Sequence, residues 1–112
     1  MNYPLATSRI FLCREATDMR KGFDGLSGLV RDRFDREPTD GSLFVFVNRR
    51  RDMAKILYWD RDGFALWSKR LERGCFVFNS LGPSEIDRLE LTSFLEGVKV
   101  RVLRRSPRWS RN

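Results

Sequence analysis

Residues 43–78 read Leu-Phe-Val-Phe-Val (43–47), Asn-Arg-Arg-Arg-Asp (48–52), Met53, Ala-Lys-Ile-Leu-Tyr-Trp (54–59), Asp-Arg-Asp-Gly (60–63), Phe-Ala-Leu-Trp-Ser-Lys (64–69), Arg-Leu-Glu-Arg-Gly (70–74) and Cys-Phe-Val-Phe (75–78). Four short apolar runs alternate with three tight, charged turns, the pattern of an antiparallel β-meander. The first run is apolar at every position, which predicts a central strand covered on both faces. Asp60-Arg61-Asp62-Gly63 fits a three-residue hairpin loop with Gly63 in the left-handed position. That register pairs Trp59 with Ala65, Leu57 with Trp67 and Lys55 with Lys69, and sets both tryptophans on one face. A two-residue turn shifts the pairing by one and separates them.

Working outward, residues 10–13 form a short apolar run and a first strand. Thr17 and Asp18 offer a helix N-cap, and Phe23, Leu26, Leu29 or Val30, and Phe34 recur at helical spacing, predicting a helix over 19–34. Gly22, Gly25 and Gly28 weaken that helix and suggest a face pressed against another backbone. The turn Pro38-Thr-Asp-Gly41 closes the unit. Downstream, Gly82-Pro83-Ser84 breaks the chain. Ser84 or Asp87 can cap a second helix carrying Leu91, Phe94 and Leu95, with Gly97 as its stop. Val98, Val100 and Val102 alternate with Lys99, Arg101 and Leu103 as a last strand. The fold class expected is therefore α+β: a meander of about four strands, flanking N- and C-terminal strands, and two α-helices. Residues 1–103 read as one domain, and 104–112 as a basic, disordered tail.

The chain has 112 residues, nine Phe and three Trp, enough for one domain with its own core. Cys13 and Cys75 lie far apart in apolar runs, which suits two reduced thiols in a cytosolic protein. No secretory signal is seen, and no apolar run nears the roughly 18 residues of a membrane span. A soluble, cytoplasmic protein is expected.

Net charge is +7, from 22 basic and 15 acidic residues. Lys99, Arg101, Arg104, Arg105, Arg108 and Arg111 account for most of the excess; before them stand 16 basic and 15 acidic residues, net +1. A second surplus lies between Arg49 and Arg73. Cations distributed this way favour a polyanion, usually nucleic acid, although a solvated rim has the same composition.

The absence of histidine removes His-based acid–base catalysis, and two distant cysteines cannot complete a structural zinc site. No phosphate-cradling glycine loop appears. Asp18, Asp52 and Asp60 could gather a magnesium ion only if the fold united them, and each has a simpler turn or cap role. No catalytic residue, metal or cofactor is assigned. Arg49, Arg50 and Arg51 are the stronger candidates, because a guanidinium fork matches phosphate bidentately. Lys69, Arg70 and Arg73 follow two strands later, so an up-down-up path returns them to the same sheet end. With Lys55 they form the candidate DNA-binding or partner-binding set. Trp59 and Trp67 could stack on bases, but aromatics on a sheet more often build core or interface.

Thr-Asp-Met-Arg-Lys-Gly-Phe-Asp-Gly-Leu (17–26) joins three further pieces: Leu-Phe-Val-Phe (43–46) followed by Arg-Arg-x-Asp-x-x-Lys; Trp59-Asp-x-x-Gly-x-x-Leu-x-x-Lys-Arg-Leu-Glu-x-Gly-x-Phe; and Phe-Leu-Glu-Gly-Val (94–98). In this order and spacing they resemble the TnpB-type accessory protein of the insertion sequence 66 family of bacterial transposons, which is unrelated to the RNA-guided nuclease of the same label. The resemblance covers about residues 10–98. Asn79-Ser80 departs from it, standing where a Trp-Pro-like strand end is expected. The resemblance implies a factor needed for transposition, encoded beside a DDE-type transposase and a second accessory protein. The basic sheet end adds the expectation of a non-enzymatic factor that binds DNA phosphates, the transposase or both; the alternative is an adaptor that docks on the transposase without contacting DNA. The family carries no established catalytic residues.

Overall fold

The computed structural model describes residues 8–97. Five strands, β1 (Ile10–Leu12), β2 (Leu43–Val47), β3 (Met53–Asp60), β4 (Gly63–Arg70) and β5 (Glu85–Ile86), form one sheet in the order β4-β3-β2-β1-β5. Helices α1 (Phe23–Phe34) and α2 (Arg88–Glu96) complete an α+β fold. Three of the four predicted runs make the meander β2-β3-β4. β1 pairs parallel to β2, so α1 serves as the crossover that parallel neighbours require. The expected strand over 98–103 and the tail over 104–112 lie outside the described residues.

The sheet is covered on both sides. Ile10, Leu12, Leu43, Val45, Val47, Ala54 and Ile56 turn to one face, where Phe76 and α2's Leu91, Phe94 and Leu95 cover them. Phe11, Phe44, Phe46 and Leu57 turn to the other and meet Leu26 and Val30 of α1. All five residues of β2 are buried, as its unbroken apolar sequence requires.

Four local expectations give way. First, β3 and β4 join through a two-residue turn, with Asp60 opposite Gly63. Arg61, not Gly63, takes the positive φ, at 59°, and the Asp62 N–H donates to the Asp60 carbonyl at 2.6 Å. Leu57 therefore faces Leu66, Ile56 faces Trp67 and Lys55 faces Ser68. The tryptophans fall on opposite faces, and no Lys55–Lys69 pair forms. Second, α1 begins at Phe23 behind Gly22, with no side-chain cap. Asp18 instead accepts from its near neighbour, the Arg20 N–H, at 2.9 Å. Third, among the described residues the glycines do not meet a second backbone: nothing lies within 4 Å beside Gly22 and Gly28, and Gly25 lies under the Lys21 side chain.

Fourth, run 75–78 adds no full strand to the sheet. Gly74, at φ 80°, turns the chain, and the Phe76 N–H donates to the Arg51 carbonyl at 2.6 Å. The run then crosses beneath α2. Phe76 stacks on Phe94 at 5.0 Å, and Phe78 meets the same ring edge-on at 5.5 Å. Burying two aromatics outweighs extending the ladder.

α2 follows its sequence signals closely. The Asp87 carboxylate accepts from the Glu90 N–H at 2.8 Å, the Glu90 side chain accepts from the Asp87 N–H, and Gly97 ends the helix. Asp87→Ala is expected to lower unfolding free energy by about 1 kcal/mol, read as a shifted urea midpoint at unchanged slope.

Candidate functional site

β1, β2 and β4 all run in one direction, and their C-terminal ends share one end of the sheet. The turn after β2 is built by Asn48. Its side-chain oxygen accepts the Asp52 and Met53 N–H groups at 3.0 Å each, and its amide donates to the Asp52 carboxylate at 2.6 Å. The Arg51 N–H closes the turn on the Asn48 carbonyl at 3.1 Å, and Arg51 takes φ 59°. The Leu71 N–H donates to the Asp52 carbonyl at 2.7 Å, joining the end of β4 to this turn. Thus Arg49–Arg51 and Lys69–Arg73 stand at one sheet end, as the up-down-up path implies.

Their side chains do different work. Arg49, Arg50 and Arg73 are exposed and make no hydrogen bond or ion pair among the described residues. Arg70 is also exposed and lies 3.5 Å from Glu72, a surface contact of small energy. Arg51 is engaged: its guanidinium donates to the Phe78 carbonyl at 2.9 Å and sits 3.9 Å over the Phe78 ring. Lys55 donates to the Met19 and Lys21 carbonyls at 2.7 and 3.2 Å, fixing the loop before α1. Lys69 points through the other face and donates to the Leu95 carbonyl at 2.7 Å, where a positive charge complements the end of α2.

Two basic residues at this end were not singled out by the sequence. Arg14 donates to the Asn79 and Pro83 carbonyls and organises the 79–83 loop, so its charge is held in structure. Lys21 is exposed beside the loop anchored by Lys55; its side chain makes no hydrogen bond among the described residues, and its charge adds to the effect of Arg20 on the Asp18 carboxyl. A solitary lysine inside a glycine-rich segment gives little sequence signal; its value comes from the loop's return to β2, where the Thr17 N–H donates to the Val47 carbonyl at 2.8 Å.

The three aspartates do not converge. Asp52 and Asp60 lie at opposite ends of β3, separated by about 26 Å of strand. Asp18 is held well below the usual carboxylate range by hydrogen bonds from the Arg20 side chain and backbone. Elsewhere, burial opposes ionisation of Asp40, yet the Ser42 N–H and Arg36 outweigh it and keep the carboxyl low. Burial also pushes the Cys13 thiol up; both Cys13 and Cys75 are free thiols. Trp59 packs edge-on against Phe64 at 5.0 Å, and Trp67 packs against the α2-side core. No helix among the described residues is long and apolar enough to cross a membrane.

Fold and site together define a small three-layer α+β fold that presents, at one end of its sheet, arginines unpaired among the described residues. Residues 8–105 match the family model described as IS66 Orf2-like protein, and the chain belongs to that family. Its members are accessory proteins of IS66 insertion elements, associated with transposition. The chain is 37% identical over 92 residues to the uncharacterized protein y4hO of Sinorhizobium fredii, covering 80% of each. It is 32% identical over 101 residues to the uncharacterized protein y4jC of the same organism, covering 88% of this chain and 86% of that one. No solved structure matches.

Proposed function

We propose that this protein assists transposition by holding DNA phosphates against the arginine-bearing end of its sheet. The observation that carries the reading is the company of Arg49, Arg50 and Arg73. Three guanidiniums, exposed and without acidic partners among the described residues, stand on turns that a hydrogen-bond network fixes in place. Arg70 joins them when it leaves Glu72. Arg51, Lys55 and Lys69 support this end through carbonyl contacts rather than by offering free charge. Phosphate contacts position without reading sequence, so selection of the transposon end would come from partners or DNA shape.

The test is duplex-DNA binding across a salt series, with wild type against Arg49→Ala/Arg50→Ala/Arg73→Ala. The slope of log affinity on log salt is expected to flatten by about 0.9 for each arginine that neutralises a phosphate. An unchanged affinity and slope would remove this reading. Lys55→Met and Lys69→Met serve as contrasts: each lowers stability and leaves the slope alone.

A second reading has the transposase as the direct partner, without DNA. Val77 and Leu81, 48% and 80% exposed, border a groove of about 480 Å³ beside α2, adjoining the loop that Arg14 pins to the basic end. Leu81→Glu would then abolish DNA-free capture of the element's transposase while the arginine variant's salt slope stayed at the wild-type value.

A further inference from the structure

The two edges of the sheet are treated unequally. β5 is two residues long, follows Pro83 and carries Glu85 in a two-point ion pair with Arg9. These are the features by which an edge resists pairing. β4 has none of them in its middle: eight residues pair one-to-one with β3, with no bulge and no proline. Phe64, Ala65, Leu66 and Trp67 are only half-buried there. The one lysine of the strand, Lys69, spends its ammonium on the Leu95 carbonyl, and run 75–78, which could have covered this edge, crosses under α2 instead. Among the described residues, alternate residues of β4 thus keep outward N–H and C=O groups without a strand opposite.

We propose that β4 pairs antiparallel with β4 of a second copy, making one continuous ten-stranded sheet across a two-fold axis. Such an axis stands perpendicular to the sheet and keeps each face with its like, so only registers centred on one residue and its symmetry mate are allowed. Centring on Leu66 sets Leu66 against Leu66, Phe64 against Ser68 and Ala65 against Trp67. It also sets Asp62 against Arg70, twice. Moving the centre to Trp67 places Asp62 opposite Glu72; moving it to Ala65 places Arg61 opposite Lys69. Neither neighbouring register forms the two Asp62–Arg70 pairs that the Leu66 register forms. The Asp62 side chain has no partner among the described residues, and the contact of Arg70 with Glu72 is between exposed groups. Pairing also continues both cores across the axis, because Leu66 belongs to the α1 side and Trp67 to the α2 side.

Sedimentation of the full chain over a concentration series tests this. Wild type is expected to show a monomer–dimer equilibrium. Asp62→Arg and Arg70→Asp each turn two attractive cross-strand pairs into two repulsive ones, and each is expected to raise the dimer Kd by about tenfold or more. An equimolar mixture of the two single variants restores both unlike pairs and is expected to recover the wild-type Kd. Both positions are exposed, and far-UV circular dichroism verifies that each variant is folded. Leu66→Cys provides an independent arm: directly opposed residues are within disulfide reach, so mild oxidation should yield a covalent dimer. A wild type that stays monomeric at every concentration overturns the proposal, including the case in which residues 98–112 of the same chain take the edge. So do single variants that dimerise like wild type, or a mixture that fails to recover.

Discussion

Phe44→Ala is expected to lower unfolding free energy by about 3–5 kcal/mol, close to the whole stability of a weakly stable domain. Phe44 is fully buried on the central strand. Its ring lies 5.7 Å from Phe11 on the neighbouring strand and 5.6 Å from Phe34 of α1, so it joins strand, strand and helix. Truncation removes the transfer free energy of the ring and leaves a void between elements that backbone hydrogen bonds hold apart. The loss should appear in urea as a lower midpoint, and on heating as a fall of roughly 10–30 °C. Phe23→Ala is the internal contrast. Phe23 lies on the same predicted helical stripe as Leu26 and Phe34 but is 47% exposed, and its loss should shift stability by about 0.5 kcal/mol or less. Equal losses at the two positions would mean that α1 does not present the face seen here.

That contrast marks where sequence was informative. The unbroken apolar run of β2 announced a doubly covered strand, and Asp87, one of two capping candidates beside Ser84, announced the start of α2, because both signals are local. The β3–β4 register was less legible for the same reason that β2 was clear. With helices on both faces, apolar residues occur on both sides of each strand, and alternation no longer says which ones share a side. The choice then fell to the turn, where Asp-Arg-Asp-Gly supports two loop lengths. The observed two-residue turn gives each face an aromatic: Trp59 goes with Phe64 on one side, and Trp67 with Ile56 on the other. The alternative gathers both tryptophans on one face and opposes two lysines.

The basic end was legible as a place, though not as a division of labour. Its convergence follows from strand direction alone. Which cations remain free depends on carbonyl groups remote in sequence: Met19 and Lys21 for Lys55, Leu95 for Lys69, and Phe78 for Arg51. No local pattern reveals such partners. A run of three arginines looks uniform in sequence, yet the third carries the left-handed backbone and covers an aromatic ring, while the first two project from the turn.

Asn48→Ala should therefore affect stability and binding together. The change leaves the Asp52 and Met53 N–H groups without their acceptor and the Asp52 carboxylate without the amide. Two unmet, partly buried donors correspond to a loss of about 2–3 kcal/mol. The turn carrying Arg49 and Arg50 would loosen, and any DNA affinity would fall even though no cation has been removed. Asn48→Asp separates the contributions. Its oxygen still accepts both N–H groups, so the turn is retained, but a carboxylate now faces the Asp52 carboxylate where an amide had donated to it. At neutral pH the two charges repel, and the variant should be less stable than wild type. As pH falls into the range where carboxylates take up protons, one proton shared by the pair restores a donor, and the deficit should narrow. Wild type carries Asp18, Asp40 and Glu85 with carboxyls held low by their partners, so acid removes stability from it. Acid should return stability to Asn48→Asp relative to wild type. A deficit that stayed constant from neutral to acid pH would mean that the Asn48 amide contributes nothing through Asp52, and that the two N–H groups alone hold the arginine turn in place.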